Sequence, residues 1–309
     1  MIIRGAKVYT EEGIFKEKEV CIQGENFTET GEDGETIIDG SGCYLIPGLT
    51  DIHFHGCMGK DFCDGTEESI QVMADYEASQ GVTTIAPATM TFDEERLTRI
   101  AKAAKAHKNE KGAILCGINM EGPFISKVKK GAQDERNIIP CNVEIAEQFL
   151  EASDGLVKFI GIAPEDNEDY LEFIEEMKGK VNISLAHTNA DYDTAKKAFD
   201  AGANHAVHLY NAMPAFTHRA PGVVGAVYDG KHVMAEIICD GIHIHPAMVR
   251  ATFEMMGAER MILISDSMRA TGMPDGQYTL GGLDVKVVGK RATLVSDGAI
   301  AGSATNLAD

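Results

Sequence analysis

Six polar residues in this sequence have side chains that bind metal ions or transfer protons, and each stands at or near the end of an apolar run. They are His53, His55, Glu121, His187, His208 and Asp266. Imidazole and carboxylate groups in combination suit a divalent ion such as Zn²⁺, Fe²⁺, Mn²⁺ or Co²⁺. A single histidine at a strand end is usually structural, and a single aspartate there often caps a helix. The six together predict a metal centre.

Eight apolar runs carry these side chains and alternate with segments of helical periodicity. The runs are 49–55, 83–89, 113–121, 158–163, 181–187, 204–209, 232–240 and 260–266. Continuous apolar strands between amphipathic helices are typical of parallel strands that are buried on both faces. Eight such units predict an α/β fold, a (β/α)8 TIM-like barrel over residues 49–274. A doubly wound open sheet is the alternative, but no Gly-x-Gly-x-x-Gly motif follows the first run.

The place of the polar residues within the runs predicts that their side chains meet. Enzymes with a (β/α)8 barrel hold their active site at the carboxyl ends of the strands. His53 and His55 are two positions apart, so both face the same side of the first strand. Asp51 in that strand is either an acceptor that orients one of these two histidines or an ordinary polar residue.

Short β-rich segments flank the predicted barrel. Residues 1–48 contain β-rich runs separated by glycine-containing turns, and residues 275–309 return to the same pattern. We predict that both ends of the chain build one small β-sandwich domain. The part that residues 275–309 contribute is expected to be incomplete.

Composition excludes several classes of protein. The chain has 309 residues, with 48 acidic and 28 basic side chains and a net charge of −20. Nucleic-acid binding is disfavoured, because it depends on Lys and Arg side chains that neutralise phosphates. No apolar run approaches the roughly 20 residues of a membrane span, and the first residues do not form a secretory signal. Seven scattered cysteines without a C-x-x-C motif indicate free thiols, so we predict a cytoplasmic protein.

Several longer motifs resemble a known family. PGLTDIHFHG is similar to the opening signature of the amidohydrolase superfamily. MEGPFIS, LAHTNA, HLYNAMPAFTHRAPG, CDGIHIHP, LISDSMRATGMPDG and DGAIAGS resemble, in the same order, the N-acetylglucosamine-6-phosphate deacetylase family. The resemblance implies metal-dependent hydrolysis of the N-acetyl group of a sugar phosphate, a small-molecule substrate, by a homodimer. Members of this family continue past the DGAIAGS segment, so we expect this chain to be incomplete and less stable than a longer one.

The resemblance also assigns roles to residues. It makes His53, His55, Glu121, His187 and His208 the metal ligands and Asp266 the catalytic acid and base. The residues that it assigns to the substrate are Gln133, Asn211, Ala212, Arg219 and His243. Family members with an intact H-x-H motif hold two metal ions, and those that lack the motif hold one. The motif here, with Gln133 where the one-metal members have a histidine, favours the two-metal form.

Alternatives remain open from the sequence. His243 and His245 make a second H-x-H pair, which is a weaker candidate for metal binding. The basic stretch 127–130 is either a solvated loop or a source of attraction for phosphate. The same scaffold is compatible with another amide hydrolase of the superfamily, or with a catalytically silent protein that binds a sugar phosphate.

Overall fold

The computed structural model describes residues 1–31 and 34–309, which divide into two compact units, Met1–Gly48 and Leu49–Asp309. The first unit consists of short strands and turns. Its strands are β1 (Ile2–Arg4), β2 (Lys7–Tyr9), β3 (Phe15–Glu17), β4 (Val20–Gln23), β5 (Asn26–Thr28), β6 (Ile37–Asp39) and β7 (Tyr44–Leu45). They form a sheet of order β5-β4-β1-β6 and a second sheet of order β3-β2-β7. The predicted β-rich character of this segment is confirmed.

The second unit is built on parallel strands from all eight predicted runs. These are β8 (Leu49–Asp51), β11 (Val82–Ile85), β12 (Ala88–Thr89), β13 (Ile114–Leu115), β14 (Ile118–Phe124), β15 (Val157–Ile162), β16 (Asn182–Leu185), β17 (His205–Ala206), β18 (Met234–Ile238) and β19 (Met261–Ile264). A hairpin of β9 (Gly56–Cys57) and β10 (Lys60–Asp61) follows the first of them. Two of the predicted strands are each interrupted, which gives the pairs β11/β12 and β13/β14.

Strands from consecutive predicted runs pair in parallel, in the orders β13-β11-β8 and β12-β14-β15-β16-β17-β18-β19. The ring closes just beyond the ends of its first and last strands. The amide of Asp266 donates to the carbonyl of His53 at 2.9 Å, and the amide of His55 donates to the carbonyl of Ser267 at 2.7 Å. Since the last strand returns to the first, the (β/α)8 barrel is confirmed and the open sheet is excluded.

Seven α-helices surround the barrel. They are α1 (Glu67–Ser79), α2 (Glu94–Ala106), α3 (Val143–Ala152), α4 (Tyr170–Met177), α5 (Tyr192–Ala201), α6 (Gly222–Asp229) and α7 (Pro246–Met256). Side chains of Thr66, Asp93, Asn142 and Asp191 cap four of them by accepting a backbone N–H of the first turn. The sequence pattern did not reveal α6, because this helix is apolar on nearly all sides and its valines 223, 224 and 227 are buried.

Three antiparallel strands follow the barrel: β20 (Gly276–Leu280), β21 (Leu283–Val288) and β22 (Arg291–Leu294). They belong to the second compact unit. The sharing of one small domain by residues 1–48 and 275–309 stays a prediction. All seven cysteines are free thiols. Within the described ranges, no helix has the length and apolar character required to cross a membrane.

Helix α1 buries a carboxylate that has no partner. Glu77 has no exposed surface, and neither of its carboxylate oxygens has a hydrogen-bond partner among the described residues. Burial, with a smaller contribution from the charge of Asp51, raises the pKa of Glu77 from 4.5 to about 8. Between these values the folded protein binds more protons than the unfolded chain does. The free energy of unfolding therefore falls as the pH rises through this range.

We expect Glu77→Gln to reduce this fall of the unfolding free energy with rising pH, because the amide has nearly the same shape as the carboxylate and does not ionise. Between about pH 6 and pH 9 the wild type should lose about 1–3 kcal/mol more stability than the variant. Urea denaturation at the two pH values measures this difference. Glu67→Gln, which changes an exposed carboxylate of the same helix, serves as the control. Equal pH dependence in the wild type and Glu77→Gln would contradict the expectation.

Candidate metal centre

The carboxylate of Glu121 lies at the centre of the candidate site, midway along β14, which runs three residues past the predicted strand end. Its Oε1 atom is 2.8 Å from Nε2 of His187 and 2.8 Å from Nε2 of His208. The two Nε2 atoms are 3.2 Å apart. All three side chains are buried, and their ligand atoms lie within 4.8 Å of one another. This spacing is suited to a single metal ion.

A second group of ligand atoms lies beside the first. Nε2 of His55 is 3.2 Å from Oδ1 of Asp266, and Nε2 of His53 is 3.9 Å from the same oxygen. These three residues also bring their ligand atoms within 4.8 Å of one another. Both histidines of this group are 3.5 Å from Glu121, His53 through Oε1 and His55 through Oε2. Glu121 therefore lies between two potential metal positions.

Each of the four histidines is oriented by a contact at Nδ1. His55, His187 and His208 contact the backbone carbonyls of Ala88, Lys129 and Asn211 at 3.3, 2.8 and 3.1 Å. His53 contacts the carboxylate of Glu236 at 2.8 Å. An acceptor at Nδ1 selects the tautomer whose Nε2 carries a free lone pair, which is the form that binds a metal ion.

The residues fit a divalent cation. Nε2 of His53 is fully buried and has no hydrogen-bond partner among the described residues. A buried polar atom of this kind is costly unless something occupies its lone pair. Four imidazoles and two carboxylates are ligands that suit Zn²⁺, Fe²⁺, Mn²⁺ or Co²⁺. The site is therefore a divalent-metal site in both its donor chemistry and its geometry.

Three of the six residues have an unusual backbone conformation. The φ angles of His187, His208 and Asp266 are 43°, 28° and 50°. Positive φ values are uncommon for residues other than glycine, and each costs about 1–3 kcal/mol. These residues stand where a strand gives way to a loop, so the strained conformation turns the side chain toward the common centre.

The two carboxylates of the site are ionised at neutral pH. Burial alone would raise the pKa of Glu121, but the nearby His187 and His53 outweigh it and hold this pKa well below its usual range. Burial likewise opposes ionisation of Asp266, but the hydrogen bond and charge of His55 lower its pKa. Burial also disfavours the charged form of His53, yet the carboxylates of Glu236 and Glu121 raise the pKa of this imidazole to about 10, so a metal ion that binds Nε2 has to displace a proton.

A pocket of about 310 Å³ opens beside these residues. Four of the five predicted substrate residues line it: Gln133, Asn211, Ala212 and His243. The Gln133 side chain donates to Oε2 of Glu121 at 2.6 Å and accepts the amide of Thr91 at 2.7 Å. Gln133 therefore orients the central carboxylate.

The structure does not bring Arg219 to this pocket. Arg219 lines a separate cavity of about 490 Å³, together with Asp191 and Tyr192. Its predicted contact with a phosphate stays a prediction.

Two alternative interpretations do not agree with the geometry. His245 is exposed and caps α7 by accepting the amide of Ala247, so it does not form a metal-binding pair with His243. His243 instead contacts the carboxylate of Asp240 through Nδ1 at 2.8 Å. Asp51 accepts the backbone amide of His53 and the hydroxyl of Ser265. It therefore ties the first strand to the last and does not orient an imidazole.

Sequence reasoning missed one residue of the site and left another undecided. Glu236 lies in β18 with no exposed surface, and the only signal was a charged residue inside an apolar run. Lys129 lines the pocket, and its Nζ donates to the carbonyl of Met213 at 3.1 Å. The sequence left the stretch 127–130 undecided between a solvated loop and a phosphate-attracting group. The structure places Lys129 at the pocket.

Comparison with known proteins identifies the family. The model of the amidohydrolase family matches residues 44–309. N-acetylglucosamine-6-phosphate deacetylase of Bacillus subtilis (strain 168) is 39% identical over 265 residues, which are 84% of this chain and 66% of that protein. The Lysinibacillus sphaericus enzyme of the same name is 34% identical over 98% of this chain and 80% of its own length. N-acetylgalactosamine-6-phosphate deacetylase of Escherichia coli O157:H7 is 32% identical, with the same two coverages.

Solved structures give the same result. N-acetyl-D-glucosamine-6-phosphate deacetylase of Mycobacterium smegmatis superposes with a TM-score of 0.89 at 29% identity, over 99% of this chain and 81% of that one. The Thermotoga maritima N-acetylglucosamine-6-phosphate deacetylase has a TM-score of 0.85 at 30% identity, with the same coverages. The chain therefore belongs to the amidohydrolase family.

Proposed function

We propose that this protein hydrolyses the N-acetyl group of N-acetyl-D-glucosamine 6-phosphate and releases glucosamine 6-phosphate and acetate. The observation that carries the proposal is the pair of ligand groups joined by Glu121 at the wall of a pocket of about 310 Å³. A volume of this size suits one small ligand. The relatives that bear this activity in their names support the choice of substrate.

The proposed cofactor is one or two divalent cations, Zn²⁺, Fe²⁺, Mn²⁺ or Co²⁺. The residues that would hold them are His53, His55, Glu121, His187 and His208. A divalent cation supplies Lewis acidity, which lowers the pKa of water and polarises a carbonyl group. The two separate ligand groups favour two positions.

Asp266 is the proposed acid and base. Its carboxylate lines the pocket, and its lowered pKa keeps it ionised at neutral pH. It accepts a proton from water as the oxygen attacks the acetyl carbon. It then delivers that proton to the sugar nitrogen, so that the C–N bond breaks with a neutral amine as the leaving group.

The proposed sugar-phosphate contacts come from one group of pocket residues. Asn211 and Ala212 offer side-chain and backbone N–H donors, Lys129 adds a cation, and His243 lines the same pocket and contacts the sugar phosphate in this proposal. Arg219 lies outside this pocket, so its proposed role at the phosphate rests on the family resemblance. A homodimer is proposed on the same ground. The free cysteines support a reducing cytoplasmic location.

Acetate release tests the function directly. Purified protein with each of the four cations should release acetate from N-acetylglucosamine 6-phosphate. The N-acetylgalactosamine analogue is the comparison substrate, because one relative bears that name. Loss of the metal to a chelator should abolish the reaction, and restoring the metal should recover it. Binding of the sugar phosphate without acetate release would instead indicate the catalytically silent protein.

Asp266→Asn tests the proton transfer. The amide has nearly the same size but accepts no proton, so kcat should fall by about 10² to 10⁴. Circular dichroism and metal analysis show whether the fold and the bound metal survive the change. Turnover near that of the wild type would remove Asp266 from the mechanism.

Arg219→Ala tests the phosphate contact. A hydrogen bond to a charged group contributes about 1.5–3 kcal/mol, so kcat/KM should fall by roughly 10 to 150-fold with the 6-phosphate substrate. The loss should be nearly absent with unphosphorylated N-acetylglucosamine. Arg250→Ala, at an exposed site on α7, is the matched control. An equal loss with both substrates would make Arg219 a structural residue.

A further inference from the structure

We propose that Glu236 is a positioning residue that presents Nε2 of His53 to the metal position shared with His55 and Asp266, and so determines whether that position is filled. The inference rests on the proposed function, since it concerns the same metal site. It adds a specific role for a residue that is not itself one of the proposed ligands.

Glu236 is held in place by donors from three strand regions. Its side chain has no exposed surface. Its Oε2 atom lies 2.8 Å from Nδ1 of His53 and accepts the backbone amide of His208 at 3.1 Å. Its Oε1 atom accepts the side-chain amide of Asn119 at 3.1 Å. These contacts fix both oxygens, so the carboxylate also fixes the plane of the His53 ring.

The contact determines which nitrogen of His53 faces the metal position. A carboxylate has no proton to donate, so the hydrogen of the bond belongs to Nδ1 of the imidazole. The lone pair of the neutral ring is then on Nε2. This nitrogen is 3.5 Å from Oε1 of Glu121 and 3.9 Å from Oδ1 of Asp266, and it has no hydrogen-bond partner within the described ranges.

Glu236 gives His53 an environment that the other three ligand histidines lack. Their Nδ1 atoms contact neutral backbone carbonyls, whereas His53 contacts a charged carboxylate. A charged acceptor at Nδ1 makes Nε2 a stronger ligand, and removing such a partner typically costs 10–100-fold in metal affinity. Loss of the charge on Glu236 should therefore weaken one metal position selectively.

A purely structural role for Glu236 is the competing explanation. The carboxylate also lies 3.5 Å from Nε2 of His205, a buried imidazole whose Nδ1 contacts the hydroxyl of Ser184. Its contacts connect several strands, so its removal could loosen the barrel interior as a whole. That role would lower stability and weaken both metal positions together. Metal affinity at each position is therefore the decisive measurement.

The test uses Glu236→Gln in the full chain. Metal-free protein is titrated with Zn²⁺ against a competing chelator, and bound metal is measured by mass spectrometry. We expect two ions in the wild type. In the variant, one position should weaken 10–100-fold and the other should keep its affinity. Visible spectra of the Co²⁺-loaded proteins should show the same selective change.

Three controls connect the effect to His53. Glu77→Gln removes another buried carboxylate and should leave both positions unchanged. His53→Asn should weaken the same position, and adding Glu236→Gln to it should produce no further loss. Glu236→Asp keeps the charge but moves it away from the His53 ring. Metal affinity at that position should therefore fall by less than in Glu236→Gln. Glu236→Asp also serves as the second variant if Glu236→Gln fails to fold, which thermal melting reveals.

The possible outcomes are distinguishable. Two ions bound with wild-type affinity in Glu236→Gln would overturn the proposal, as would equal weakening of both positions. A wild type that holds a single ion would also overturn it, while leaving the deacetylase function standing. A wild type that binds no divalent cation would contradict the proposed function and this inference with it.

Discussion

The contact between the Glu121 carboxylate and the surrounding imidazoles is the interaction on which the rest of the site depends. A lone buried carboxylate costs several kcal/mol, and so does a lone buried imidazolium. Here Oε1 is 2.8 Å from two imidazole nitrogens, and Oε2 is held by the amide of Gln133. The arrangement gives both oxygens of Glu121 a partner, and the unpartnered Nε2 of His53 lies beside one of the two positions where a cation would bind.

The barrel makes this convergence possible by supplying rigid acceptors behind the ligands. The carbonyls of Ala88, Lys129 and Asn211 and the carboxylate of Glu236 each fix one imidazole from the side opposite the metal positions. These acceptors come from different strands and loops, so the ligand geometry requires the closed ring. The positive φ angles at three residues of the site carry an energetic cost, which the apolar packing between strands and helices offsets.

Local sequence patterns predicted the parts of the site that depend on local geometry. The period of two in the predicted run 49–55 and the predicted run-end positions of Glu121 and Asp266 were sufficient to predict a common cluster, although the observed β8 ends before His53. The role of Glu236 was not predictable, because its partners His53 and Asn119 are distant in sequence and meet only after the barrel closes. Helix α6 was missed for a different reason. It is buried on nearly all sides, so it lacks the amphipathic periodicity by which its neighbours were recognised.

The strongly acidic composition does not prevent the capture of an anionic substrate. At physiological salt the Debye length is about 8 Å, so most of the 48 carboxylates are screened from a ligand inside the pocket. The groups that line the pocket determine instead whether an anion binds, and they form two sets. In the proposed mechanism Glu121 and Asp266 face the reacting amide together with the cation positions, whereas Lys129 and Asn211 offer N–H donors. A neutral or cationic sugar would leave those N–H donors without an anion to bind. Their presence in the pocket therefore favours a sugar that carries a phosphate.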